Sequence, residues 1–229
     1  MSMLHTAGVE EVIAGFSSRE DPILERMERR ADREGFPTVG PEVGAFLAWF
    51  VRAADVRRVF ECGSGFGYSA YWMATELPDG GEIVLTEIDA DELADAERYF
   101  READLADRAR FLEGDALEAL AAEDGPFDLV ILDHENERYR EGLSVATARL
   151  APGGTVLADN VLHSWEFDPE DVVAGRDTAG GAPSTDDADP SLSGILEFYR
   201  AVETDPALRA CVLPLGEGML AATRIRPDR

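Results

Sequence analysis

The sequence predicts an α/β fold: a seven-stranded, mostly parallel sheet with helices on both faces. Three observations predict it. From Arg58 onward, short β-prone runs alternate with amphipathic helical stretches, the pattern of a parallel sheet. The first β run feeds straight into a glycine-rich turn, Gly63-Ser-Gly-Phe-Gly67. The last two runs, residues 209–213 and 219–225, are separated only by Pro-Leu-Gly-Glu-Gly. That spacing makes a hairpin, which closes the sheet with an antiparallel strand.

The elements follow in order. Residues up to about Val56 read as a helical N-terminal cap. Residues 22–33 are charged and helix-prone, and Gly40-Pro-Glu42 starts a helix over 43–54. Residues 58–62 form the first strand and 68–77 the helix after the glycine turn. Strand 82–87 precedes a helix over 91–103, whose Leu93, Ala96, Phe100 and Ala103 share one face. Strand 109–113 leads to a short helix at 115–122. The apolar run 127–132 suits a strand buried on both faces. A helix over 139–150 stops at Ala-Pro-Gly-Gly, and strand 155–158 ends in Asp159-Asn160. Residues 164–190 are rich in Gly, Ser, Asp and Pro, with little periodicity; just past a strand end, they read as a lid or insertion. A helix over 195–202 precedes the hairpin. One domain over residues 1–229 accommodates all of this.

Composition bounds the function. Forty-seven acidic residues face 21 basic ones, for a net charge of −26, and every basic residue is Arg. Such a surface repels nucleic acid and anionic membranes, so neither is expected as a partner. The carboxylates are spread along the chain rather than gathered in a tail, which points to halophilic adaptation. No apolar run approaches the ~18 residues of a membrane span, and residues 1–18 do not read as a secretory signal. Cys62 and Cys211 sit in separate strands without metal-type spacing and read as buried free thiols. A reducing, cytoplasmic setting is the expectation.

In doubly wound sheets, ligands bind at the carboxyl ends of the strands. Here Gly63, Gly65 and Gly67 allow a sharp turn and close approach of a ligand to the backbone, with free N–H groups beyond it. Glu87 ends the second strand about 20 residues on, where an acidic side chain can take ribose hydroxyls. Asp115 ends the third strand, where it can accept from an adenine amine or cap the next helix. Both NAD and S-adenosylmethionine satisfy this pattern. The Gly63-x-Gly65-x-Gly67 spacing departs from the dinucleotide fingerprint, and Ser69 can receive a carboxylate. Both features, with the terminal hairpin, favour S-adenosylmethionine.

Five segments, in this order, resemble the cation-dependent O-methyltransferases, the group containing the catechol and caffeoyl-CoA enzymes. They are Val59-Phe-Glu-Cys-Gly-Ser-Gly-Phe-Gly-Tyr-Ser-Ala70, Thr86-Glu-Ile-Asp89, Phe127-Asp-Leu-Val-Ile-Leu-Asp-His134, Ala158-Asp-Asn160, and Asp205-Pro206 running on to Leu213-Pro-Leu-Gly-Glu-Gly218. The resemblance implies a Rossmann-like methyltransferase fold and methyl transfer to a small, catechol-like hydroxylated acceptor. It implies Glu61, Gly63 and Ser69 around the methionine part of the cofactor and Glu87, with neighbouring Ile88, at the ribose. Asp115, Ala116 and His134 would lie near the adenine, with Asp133 also against the cofactor. It further implies a divalent cation, Mg²⁺ or Mn²⁺, on Asp133, Asp159 and Asn160, an oxygen donor set of the type such ions prefer. Relatives are often dimers, which makes a homodimer an expectation. The pattern breaks at Asn136, where relatives closest to the catechol enzyme carry a lysine as general base. An amide cannot take that proton usefully. Either the metal acidifies the acceptor hydroxyl enough alone, or another base serves, with His163 and His134 as the candidates. Alternative readings are a methyltransferase of this fold that uses no metal, and a cofactor-binding protein without catalysis.

Overall fold

A computed structural model describes residues 7–164, 167–177 and 189–226. Three helices come first: α1 (Ala7–Ser17), α2 (Pro22–Glu34) and α3 (Gly40–Ala53). Alternation follows, as β1 (Arg58–Cys62), α4 (Tyr68–Ala74), β2 (Glu82–Glu87), α5 (Ala90–Glu102), β3 (Ala109–Glu113), α6 (Ala116–Ala122), β4 (Phe127–Leu132), α7 (Tyr139–Arg149) and β5 (Leu150–Ala158). The chain then runs through α8 (Pro169–Asp177), α9 (Pro190–Thr204), β6 (Leu208–Leu213) and β7 (Met219–Arg224).

The seven strands order as β3-β2-β1-β4-β5-β7-β6, and only β7 runs antiparallel to its neighbours. The predicted architecture is therefore present. Chain order reverses between β1 and β4, which pair directly. At such a switch point the loops leaving two adjacent strands diverge, and a crevice opens at their carboxyl ends.

Apolar side chains cover both faces. On one, Leu24, Leu47, Phe66 and Phe100 pack α2 to α5 against the sheet. On the other, Phe60, Phe127, Tyr139 and Phe198 pack α6, α7 and α9. Helix α2 starts at Asp21, whose carboxylate accepts from the backbone N–H groups of Ile23 and Leu24. It is tied to α5 by Arg30, which pairs with Glu92 at 2.8 Å and Asp95 at 2.9 Å while lying over the Phe66 ring. That clamp fixes the following loop, residues 36–39, over the carboxyl edge of the sheet.

Several boundaries differ from expectation. Helix α9 begins at Pro190 rather than 195, because Asp189 caps it through the N–H groups of Ser191 and Leu192. The Ala-Pro-Gly-Gly segment, read as a helix stop, lies within β5, whose register against β4 shifts between Phe127 and Leu129. Residues 164–190 are not uniformly irregular: α8 lies within them, and Gly175 sits against the Leu196 side chain of α9. The rest of that predicted lid, apart from 164, 167–168 and 189–190, lies outside the described residues. Cys62 is buried as expected, and burial raises its thiol pKa. Cys211 is not: it is exposed on β6, an edge strand that buries only Leu208. Among the described residues, no helix is long and apolar enough to cross a membrane.

Candidate active site

The site begins with the turn after β1. Gly63 N–H and Ser64 N–H both donate to the Thr86 carbonyl of β2, and Gly67 N–H returns to Ser64 O at 2.8 Å. This folding-back needs left-handed backbone at Gly63, with φ of 80°. A β-carbon there would stand 2.2 Å from the Asp133 carbonyl oxygen. Glycine thus lets the β1 turn touch the end of β4. The Glu87 carboxylate braces the same turn. It accepts from Gly65 N–H at 2.8 Å, and from Ile88 and Asp89 N–H at 2.8 and 3.0 Å.

The strand ladders carry the next groups into place. Asp133 N–H continues β4 by donating to Cys62 O, and Asp159 N–H continues β5 by donating to Leu132 O. The two side chains therefore project side by side from the carboxyl edge. Asn160, left-handed at φ 56°, donates its amide to Asp133 Oδ1 at 3.3 Å. Its side-chain oxygen remains as a donor to a cation. Asp159 is buried, and its Oδ1 has no hydrogen-bond partner.

Electrostatics follow from this crowding. Burial first, then the neighbouring Asp159 and the nearby Glu61, Glu217 and Glu87, push the Asp133 carboxyl well above its ordinary range. Burial and Glu217 push Asp159 up to about 6, against a backbone hydrogen bond at Asn160. Below them Glu61 is fully buried. Its Oε1 accepts from the Ser69 hydroxyl at 2.6 Å, and its Oε2 has no partner. Burial raises its pKa to about 7. Three carboxyl groups thus share a site that disfavours their charge, and a cation reverses that preference.

These groups line or underlie one cavity of about 470 Å³. Of the residues singled out in the sequence, Gly63, Gly65, Ser69, Glu87, Asp133, His134, Asn136, Asp159 and Asn160 line it. Glu61 and Gly67 lie behind the lining. Ile88, Asp115, Ala116 and His163 are not among the lining residues. Asp115 caps α6 through the N–H groups of Leu117 and Glu118, and accepts from Arg138 at 2.6 Å. Arg138 and the α6 backbone lower its pKa to about 2. The Ile88 side chain points to solvent, 69% exposed.

The two candidate bases fare differently from expectation. His163 is turned to its own loop: Nδ1 lies 3.1 Å from the Phe167 carbonyl oxygen and 3.5 Å from Asp168. His134 does reach the cavity, yet both ring nitrogens are buried and unpartnered. Burial lowers its pKa to about 4, and its ring packs 5.2 Å from that of Tyr139. So weak a base is poorly matched to a neutral-pH proton transfer. Asn136 is buried, with its amide nitrogen donating to the Ser191 hydroxyl of α9 at 2.9 Å.

The 36–39 loop and Ser164 also line the cavity, within the two stretches, 1–40 and 164–190, expected from the sequence to wall the acceptor, whereas Glu137, Ser191 and Glu217 were missed as individual lining groups. Glu217 stands in the hairpin turn between two glycines. Its carbonyl oxygen accepts from Leu162 and His163 N–H, which pins the turn beside Asp159. The Gly216-Glu-Gly218 pattern was visible as a turn signal and within a segment of the family resemblance, but neither gave Glu217 a place in the site.

The fold and the crevice at its switch point define a class: a doubly wound α/β protein with a ligand cavity built from a glycine turn and strand-end carboxylates. Comparisons narrow it. The O-methyltransferase family profile matches residues 14–225, so the chain belongs to the O-methyltransferase family. A Mycobacteroides abscessus protein, named for O-methyltransferase activity, is 30% identical over 207 residues, covering 90% of this chain and 89% of that one. A solved Bacillus cereus O-methyltransferase in complex with SAH superposes with a TM-score of 0.80 at 25% identity, covering 95% of this chain and 97% of that one. The Streptomyces achromogenes O-methyltransferase TomG, solved with SAM, shares the fold, with a TM-score of 0.81, 23% identity and coverage of 98% and 99%.

Among the described residues, no three His, Cys, Asp or Glu side chains converge as a metal-type group. The arrangement instead offers two carboxylates and one amide. The unpartnered, buried Asp159 Oδ1 beside Asp133 fits a hard divalent ion.

Proposed function

We propose that this enzyme transfers the methyl group of S-adenosylmethionine to a hydroxyl of a small, catechol-like acceptor, assisted by a divalent cation, Mg²⁺ or Mn²⁺. One observation carries the proposal. Asp133 and Asp159 end adjacent strands beside the glycine turn, and one Asp159 oxygen is buried without a partner. Asp133, Asp159 and Asn160 would hold the ion, which when bound lowers the pKa of an acceptor hydroxyl and orients its oxygen. S-adenosylmethionine supplies an activated methyl group on a sulfonium centre.

The chain's own groups do the rest. The Gly63 turn and Ser69 receive the amino-acid end, with Glu61 beneath them. Glu87, already turned to backbone N–H groups, faces the ribose position. Packing of the 36–39 loop over Gly65 excludes water, since a β-carbon at Gly65 would stand 2.7 Å from the Phe36 ring. In-line transfer then depends mainly on proximity and alignment. Asn136 provides no proton acceptor. It is fixed to Ser191 and shapes the wall.

The test is methyl transfer from labelled S-adenosylmethionine to 4-methylcatechol. Product should form with Mg²⁺, fall at least about 100-fold in EDTA, and return when Mg²⁺ is restored. Asp159→Ala should lose the activity while still binding S-adenosylhomocysteine. Undiminished turnover in EDTA would replace this reading with metal-free transfer. Asn136 in the lysine position favours a second reading, a cofactor-binding protein without catalysis. Cofactor binding with no turnover of any catechol would support that one.

A further inference from the structure

We propose that two copies of this chain pair through the edge strand β6, antiparallel about a two-fold axis at Cys211. The inference stands apart from the methyl-transfer reading and uses none of the cavity's groups. The homodimer expected from relatives carries no face or register; both follow from β6.

β6 ends the sheet, and among the described residues its only strand partner is β7. An edge strand leaves a row of backbone N–H and C=O groups open to another strand unless charge, proline or a bulge blunts it. The opposite edge, β3, is blunted: its Arg110 pairs with Glu82 and Glu123, and Glu113 ends it. β6 has no such device. Its six residues, Leu-Arg-Ala-Cys-Val-Leu, run in unbroken register with β7, and Ala210, Cys211 and Val212 are all exposed. Its one charged side chain, Arg209, folds back onto the carbonyl oxygens of Pro206 and Leu208.

Charge selects the occupant. Residues 207–226 carry Arg209, Arg224 and Arg226 against Glu217 alone, so the hairpin is net positive on a chain of net charge −26. Two hairpins meeting edge to edge bring positive charge into the field of two acidic bodies. Most other approaches set carboxylate against carboxylate.

Backbone geometry then fixes the register. Ile225 N–H donates to Ala207 O at 2.8 Å, so residue 207 turns its polar groups to β7. Alternation along an antiparallel ladder turns Arg209, Cys211 and Leu213 the same way and leaves Ala210 and Val212 facing out. The open row stops at both ends: Leu208 N–H donates to Asp205 O, and Pro214 has no N–H. Only one two-fold register pairs every outward group, with Ala210 opposite the partner's Val212 and Val212 opposite the partner's Ala210. Cys211 then faces the partner's Cys211 in a non-hydrogen-bonded pair. Their Cα atoms stand about 4.5 Å apart, within reach of a disulfide.

Sedimentation velocity of the full chain in reducing buffer should show a dimer that grows with concentration. It should be half-formed at on the order of 10 μM, since six residues of edge make a small interface. Copper–phenanthroline in thiol-free buffer should join Cys211 to the partner's Cys211; the thiols lose their two protons and pass two electrons to two copper(II) ions. Cys62 is buried and stays out of the reaction. Cys211→Ser should sediment as the parent does and give no covalent dimer. Val212→Pro removes an N–H that β7 does not use, so the melting temperature should hold within about 3 °C. Association and cross-linking should nonetheless each fall at least about tenfold. Should that proline unsettle β6, Ala210→Glu sets a carboxylate in the same ladder and should weaken association equally. A monomer at every concentration overturns the inference, as does a dimer that neither substitution weakens, or one in which Cys211 stays a thiol.

Discussion

Glu61 sits at the centre of the residue-scale argument, because it is a carboxylate placed where charge is least welcome. Its raised pKa, about 7, lies above the ordinary 4.5, with burial as the main cause and Ser69 opposing it. Between those two values the folded chain holds a proton that the unfolded chain has released. Stability therefore falls as pH rises from about 4.5 through 7, by on the order of 3 kcal/mol from Glu61 alone. Asp133 and Asp159 act in the same direction. Glu61→Gln removes one share and leaves theirs. Urea unfolding of the cofactor-free protein at pH 5 and pH 8 should thus show a smaller pH difference in the variant, which should be the more stable protein at pH 8. Identical pH differences would contradict this account of Glu61. The proposed seat of the cofactor's amino-acid end above Glu61 would put a positive charge there and offset the same penalty.

At the scale of elements, the docking of α9 decides the shape of the cavity wall. Gly194 faces the 3₁₀ turn so closely that a β-carbon would lie 2.3 Å from Glu137 Cα and 2.4 Å from the Asn136 carbonyl oxygen. Those are backbone atoms and cannot rotate away. Helix propensity alone predicts that Gly194→Ala stabilises α9 by about 1 kcal/mol. The contact predicts the opposite sign, a loss of about 2–4 kcal/mol, with α9 displaced and the Asn136–Ser191 bond broken. Thermal denaturation reads the sign directly, and a raised melting temperature would exclude the tight contact. The same elements show what a sequence can reveal. Strands β1, β2 and β4 and the end of β5 were legible because each is an apolar run stopped by a turn signal, and the carboxyl-end residues Glu87, Asp133 and Asp159 come with them. Helix α8 was not, since Val172 is buried while Val173 beside it is 60% exposed, and the surrounding Gly and Asp hide so short a period. Glu217, Ser191 and the 36–39 loop reach the cavity only through tertiary packing. Asp115 was legible as a strand end, but its pairing with Arg138, 23 residues on, was not.

For the whole molecule the dominant quantity is the net charge of −26. Arginine pairs many of the surface carboxylates, yet most of those pairs are exposed. Arg29–Glu25, Arg33–Glu34 and Arg101–Glu97 are typical, and each contributes at most about 1 kcal/mol. With 47 acids against 21 arginines, more than half of the carboxylates cannot each be matched by an arginine, and the excess like charge opposes the compact state. Added salt weakens both attractions and repulsions, because the screening length falls from about 10 Å at 0.1 M to about 3 Å at 1 M. Which effect wins depends on the balance of charge. Here repulsive neighbours outnumber attractive ones, so screening should stabilise the fold. The melting temperature should therefore climb several degrees between dilute buffer and 1 M KCl, at about 2–4 °C per kcal/mol for a chain of this length. KCl must be compared with an equally concentrated neutral osmolyte, which crowds the solvent without screening. A melting temperature that is flat or falls with KCl, or that rises equally with the osmolyte, would sink the view that this surface is fitted to high salt. The unpaired carboxylates would then need a local explanation, as those of the cavity already have.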